Sequence, residues 1–168
     1  LEVTVRHLKL FVIALIALLG ALAHGVRLWL WKQWRTLATP LVWILHASYL
    51  WIVVHLVMRG LNGLELPIGS YATHALTVGA IGSLTLGMMT RTSRGHTARP
   101  LRAGRIETSC YVLVNLAAVA RVFVPLAAPG ATLYSVSASA VLWSSAFALF
   151  TVAYWPILSR PRLDGLPG

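Results

Sequence analysis

Five times in 168 residues the chain runs for long stretches with few or no charged side chains. The runs lie at about 10–31, 41–58, 71–89, 108–126 and 133–154. Each is about 17–25 residues, the length an α-helix needs to cross a hydrocarbon layer of ~30 Å. A backbone in lipid must satisfy its own N–H and C=O groups, which an uninterrupted helix does. Turn chemistry separates the runs: Pro40, the loop from Arg59 to Gly69, Pro129-Gly130 and Pro156 each disfavour continuing a helix. The expected fold is therefore all-α, a polytopic transmembrane helix bundle with five spans in one domain and negligible strand.

Composition agrees. Hydrophobic residues make up 58% of the chain and charged residues 11%, against about 25% charged in a soluble domain. A net charge of +10 raises the question of nucleic acid. The basic residues fall in short loops between apolar runs and form no basic helix or aromatic-interleaved patch, so nucleic acid is not an expected partner. The lipid bilayer is. Arg27, Lys32 and Arg35 surround the first loop, Arg91, Arg94, Arg99, Arg102 and Arg105 the third, and Arg160 and Arg162 the tail. Retention of Lys and Arg on the cytoplasmic side puts these loops and the C-terminus in the cytoplasm. On that orientation Trp29, Trp31, Trp34 and Trp43 sit at the cytoplasmic interface, as belt anchors.

The third run is the centre of the pattern. Ala75, Gly79, Ser83 and Gly87 recur every fourth residue, a small-residue stripe that lets a neighbouring helix approach closely in lipid. Gly79, Gly82 and Gly87 weaken a helix in water, so this one requires a membrane or close packing. The stripe could also recruit a separate partner protein.

Chemistry, if present, rests on histidines. Intramembrane imidazoles are costly without partners and are functional candidates by default. On the topology above, His24 and His46 form a cytoplasmic layer, and His55 and His74 an outer one. No two histidines stand at the helical spacing that would let one helix chelate a metal. Met88 and Met89 lie too far from His74 to share its site. Cys110 is alone and reads as a small buried hydrophobe. Glu2, Glu65, Glu107 and Asp164 fall outside the spans, which leaves no intramembrane carboxylate relay. Arg121 falls inside the fourth span, near its outer end. It either clamps a carboxylate such as a heme propionate, through its bidentate fork, or snorkels to the interface. The serines of the fifth span suit helix–helix hydrogen bonding. His96, in the arginine-rich loop, reads on spacing alone as part of a solvated loop held by inner-leaflet phosphates.

Several segments resemble one family. His74-Ala75-Leu76-Thr77, Gly79-Ala80-x-Gly82, Met89-Thr90-Arg91 and Gly95-His96-Thr97-x-Arg99-Pro100-Leu101 are similar to the signature of NnrS-type proteins, with Ala98 standing where glycine is expected. Leu45-His46-x-x-Tyr49-x-Trp51 adds to the likeness. The resemblance implies a multi-pass bacterial inner-membrane protein that contains heme and copper and acts in the response to nitric oxide. It implies that the chain is a C-terminal portion whose remaining N-terminal helices lie elsewhere, and that nitric oxide or an iron-nitrosyl is a ligand. Among the histidines it favours His74 and His46 for heme or copper and adds His96 as a metal candidate; on the propionate reading above, Arg121 is a candidate heme contact. The absence of Cys-x-x-Cys-His makes any heme non-covalent, b-type in attachment. Whether the protein catalyses a reaction is not legible. The alternative reading is a metal-free transporter or permease-like subunit, with the histidines and Arg121 lining a polar path.

Overall fold

The computed structural model describes residues 2–165. Among these, five helices are long and apolar enough to cross a membrane, and there is no strand. They are α1 (Glu2–Leu30), α2 (Pro40–Gly63), α3 (Tyr71–His96), α4 (Arg105–Ala127) and α5 (Thr132–Leu158). All five expected spans are present, and each helix extends past at least one end of its apolar run. Hydropathy marks where side chains meet hydrocarbon, whereas helical hydrogen bonding continues into the interface. Thus α1 already includes Arg6 and Lys9, and α4 begins at Arg105 and carries Pro125 in its last turn.

Two hairpins, α1–α2 and α4–α5, flank α3, which touches both. The basic loop between α3 and α4, the α1–α2 connection and the C-terminal tail share one end of the bundle, called here the basic end. The outer face of α1 stays open, with Leu8, Phe11, Ile16, Leu19 and Leu22 all exposed. In water such a face would be a liability; in a bilayer it is the lipid-facing surface.

Why α3 sits in the middle follows from its small residues. Ala75, Gly79, Ser83 and Gly87 are all buried, and the stripe faces α2. A Cβ at Gly79 would overlap the Trp51 indole, and one at Gly87 would press on Ile44 at 3.0 Å. Gly82 gives the same close access to Trp143 of α5. The stripe does admit a neighbouring helix, as its spacing predicts. That neighbour is the chain's own α2, so no separate partner is needed to fill it.

One local departure from regularity was not legible. Residues Ala75–Ile81, directly after His74, form π-helical turns inside α3. Such segments are rare and gather at functional sites.

At the basic end an ionic cluster ties three helices together. Arg94 of α3 donates through Nη2 to Glu107 Oε1 at 2.5 Å and through Nε to the Tyr154 hydroxyl of α5 at 3.0 Å. The Tyr154 hydroxyl donates to the same Glu107 oxygen at 2.9 Å, and the Gly104 N–H donates to Oε2 at 2.7 Å. Two expectations are corrected here. Glu107 is not in a loop outside the spans but buried in the first turn of α4. Arg94 belongs to α3 and holds a carboxylate rather than standing free in a solvated loop. Three donors on one carboxylate offset the cost of taking its charge out of water. In α5, Ser135 and Ser139 donate to the carbonyls of Ala120 and Ala117 in α4, as the serine content suggested.

Candidate functional site

Near the basic end of α2 lies a groove of about 550 Å³. Trp31 from the α1–α2 connection, His46, Tyr49 and Ile52 from α2, and Ala80, Leu84 and Met88 from α3 line it. The walls are almost wholly apolar. The polar atoms that interrupt them come chiefly from His46, Ser48 and Tyr49, since the stretch Leu45–Tyr49 turns toward the groove.

The His46 ring is held from both sides. Trp31 packs on it with ring centroids 5.9 Å apart and on Tyr49 at 4.8 Å. Its Nδ1 lies 3.0 Å from Thr36 Oγ1. That hydroxyl has one proton, which it donates to the Gln33 carbonyl at 2.7 Å. Thr36 can therefore only accept from His46, so Nδ1 carries the hydrogen. In a neutral imidazole the lone pair then sits on Nε2. This is the arrangement that orients histidines as metal ligands, with the remote nitrogen fixed by a hydrogen bond and the other left basic. His24 joins the same layer, its Nδ1 sharing a 2.5 Å hydrogen bond with the Tyr49 hydroxyl. The expected pairing of His24 with His46 holds, but Tyr49 and Trp31 connect them. Trp31 is a wall of the groove, not only an interfacial anchor.

The outer layer is built differently. His55 donates from Nδ1 to the Ala72 carbonyl at 2.7 Å, two residues before His74. This ties α2 to the start of α3 and fixes a second imidazole with a free Nε2. His74 is half-buried, makes no side-chain hydrogen bond to a described residue, and lies within range of the Arg121 charge. Arg121, also half-buried, lines a smaller cavity of about 280 Å³ with Val78, Val136, Ser139, Ala140 and Trp143. His46 and His55 are nine residues apart on α2, about 14 Å along its axis, so the two layers are separate. His96 is exposed at the last residue of α3.

The four candidate residues therefore do not converge on one site, in keeping with the two layers expected for the histidines. His46 stands in the groove, His74 and Arg121 near each other at the opposite end, and His96 apart from both. Among the described residues no three His, Cys, Asp or Glu side chains gather as a metal cluster. Met88 lines the groove with His46, so the pair of soft donors available there is one imidazole and one thioether. Tyr49, Trp31 and Thr36 are the members that residue-type reasoning missed. Only Tyr49 left a trace, as part of the Leu45–Trp51 segment.

An all-helical chain with five membrane-length apolar spans and a side-opening apolar groove is a multi-pass membrane protein. The family described as NnrS protein matches residues 2–162. The chain belongs to that family. Searches of curated proteins and of solved structures found no match.

Proposed function

We propose that this chain forms the metal-bearing part of an inner-membrane protein acting in the nitric-oxide response, and that the His46 groove seats its heme or copper. The observation that carries the reading is the His46 imidazole, fixed as the Nδ1–H tautomer by Thr36, in an apolar groove of cofactor size. Membership of the NnrS family supports heme or copper as the cofactor class. The residues fit the group. His46 offers a basic Nε2, Met88 a thioether, and the aromatic and aliphatic walls suit a macrocycle. Imidazole with thioether is a ligand pair used for heme iron, and copper(I) accepts the same donors.

When bound, such a centre would supply a site for nitric oxide or for one-electron transfer. The chain's own contribution is to orient the His46 imidazole, keep water from the apolar side and hold His24 and Tyr49 as a hydrogen-bonded pair beside it. A further ligand or wall would come from helices beyond these five, on the open side of the groove. His74 is the weaker of the two motif histidines as a ligand, because a guanidinium nearby opposes a bound cation. A heme on His46 would also leave Arg121 on another face of α3, away from its propionates. The basic loops would face the cytoplasm, with the C-terminus on that side.

The test is a reduced-minus-oxidised visible spectrum of the detergent-purified full-length protein, expressed with ample heme. We expect a b-type signal in the wild type and in His74→Ala, and its loss or marked shift in His46→Ala. A signal that survives His46→Ala and disappears in His74→Ala would move the seat to the outer layer. No signal in the wild type would remove the heme and leave the metal-free transporter reading in front.

A further inference from the structure

Arg121 has no hydrogen-bond acceptor and no ion-pair partner among the described residues. That is a costly position for a guanidinium within a membrane-crossing helix. Three of the four acidic residues are engaged elsewhere, and the fourth, Glu2, stands in the first turn of α1. Glu107 is held by Arg94, Asp164 by Arg162 and Glu65 faces His7. Snorkelling to the interface explains an unpaired arginine only if its head lies at the interface. The cavity that Arg121 lines is walled on α5 by Val136, Ser139, Ala140 and Trp143. Those residues start four and end eleven positions into α5, about 6 to 17 Å below its end, so the cavity lies below the level of the helix end, open on the side where Ala140 is exposed.

Its walls are mainly apolar, and Arg121 is the one charged residue that lines it. The Ser139 proton is spent on the Ala117 carbonyl. The free donor is the Arg121 fork, and Trp143 contributes its ring to the wall. A volume of about 280 Å³ is below the usual range for cofactor pockets, roughly 300–1,000 Å³. We infer that this cavity binds a small planar oxyanion, a carboxylate or nitrite-like species, through the Arg121 guanidinium. Two in-plane oxygens match the fork better than a spherical halide does. The inference does not depend on whether His46 holds a metal. A carboxylate could arrive as a free anion or as an arm of a larger bound group, and the chemistry at Arg121 is the same.

The experiment uses the full-length protein in zwitterionic nanodiscs, with isotope-labelled formate as the probe and saturation-transfer NMR as the readout, at constant ionic strength in chloride. We expect saturable transfer in the wild type. It should be weakened roughly tenfold in Arg121→Lys, which keeps the charge and loses the bidentate fork, and lost in Arg121→Gln. Arg59→Gln, an exposed cation at the same end, should leave it unchanged. If Arg121→Gln does not fold, Ala140→Leu fills the cavity and should abolish transfer with the charge retained. Loading with heme separates the sources. Suppression of the formate signal makes the natural occupant the propionate of a heme seated away from His46, and an unchanged signal makes it a free anion; both support the site. Absence of saturable transfer in the wild type overturns the inference, as does equal transfer in Arg121→Gln or persistence in Ala140→Leu.

Discussion

Gly79→Ala is the sharpest probe of how α3 is held. The added methyl would overlap the core of the Trp51 indole, with Cε3 at 2.8 Å and Cδ2 and Cγ nearer still. Trp51 cannot swing away freely. Its Nε1 donates to Asn115 Oδ1 of α4 at 2.9 Å, Phe123 packs on it at 5.9 Å, and it is 7% exposed. Overpacking costs about 1–3 kcal/mol, and breaking the Trp51–Asn115 bond adds about 1 kcal/mol. Against this, replacing glycine within a helix by alanine gains up to ~1 kcal/mol. The net expectation is a loss of roughly 1–3 kcal/mol, about 5- to 150-fold in the folding equilibrium. Denaturant unfolding in mixed micelles measures it directly. In a Trp51→Ala background the same substitution should cost at least ~1 kcal/mol less, because the clash is gone. Gly95→Ala supplies the control: its Cβ would meet nothing within 4 Å, so it should be neutral or slightly stabilising. Wild-type stability in Gly79→Ala, or an equal cost with and without Trp51, would refute the idea that the stripe exists to admit α2.

Other expectations follow from the same geometry. Glu107→Gln leaves Arg94 half-buried with its charge uncompensated and should cost about 3–5 kcal/mol, whereas Tyr154→Phe removes one neutral donor and should cost about 1 kcal/mol; thermal unfolding of the two variants gives the order, and a reversed order would show the cluster to be solvated. Thr36→Val takes away the acceptor that fixes His46 and should lower heme retention by about 10–100-fold, read by spectral titration with helical circular dichroism unchanged.

How far the sequence reaches is clear from particular residues. Five spans were legible because apolar length is a property of the chain itself. The stripe was legible too, but its occupant was not, since Trp51 and Trp143 meet α3 from 28 and 61 residues away. Glu107 was placed outside the membrane because a carboxylate in isolation belongs there. What brings it in is Arg94 on α3 and Tyr154 on α5, partners that only the fold supplies. The π-helical turns at Ala75–Ile81 were not foreseen, because a stretch of small apolar residues fits either helical period. His46 could be marked as a candidate from its type and segment. Which nitrogen it leaves free depends on where the single proton of Thr36 goes, and no spacing encodes that.

The placement of the polar groups around α3 suggests why the two candidate sites are kept apart. One side of α3, through Leu76, Ala80, Leu84 and Met88, faces a groove whose titratable wall groups are the imidazole of His46 and the phenol of Tyr49. Another side, through Val78, faces the cavity with the unpaired guanidinium. Two unit charges of like sign repel by about 2–3 kcal/mol at 6–8 Å with an effective dielectric of ~20, enough to weaken metal binding by more than tenfold. A cation-binding groove and an anion-binding cavity therefore interfere least when a helix stands between them and their levels differ. The π-helical turns widen α3 where it forms walls of both, through Leu76 and Ala80 toward one and Val78 toward the other. On this reading α3 separates the two sites as well as holding the bundle together, and Gly79, Gly82 and the residues beside them serve both roles at once.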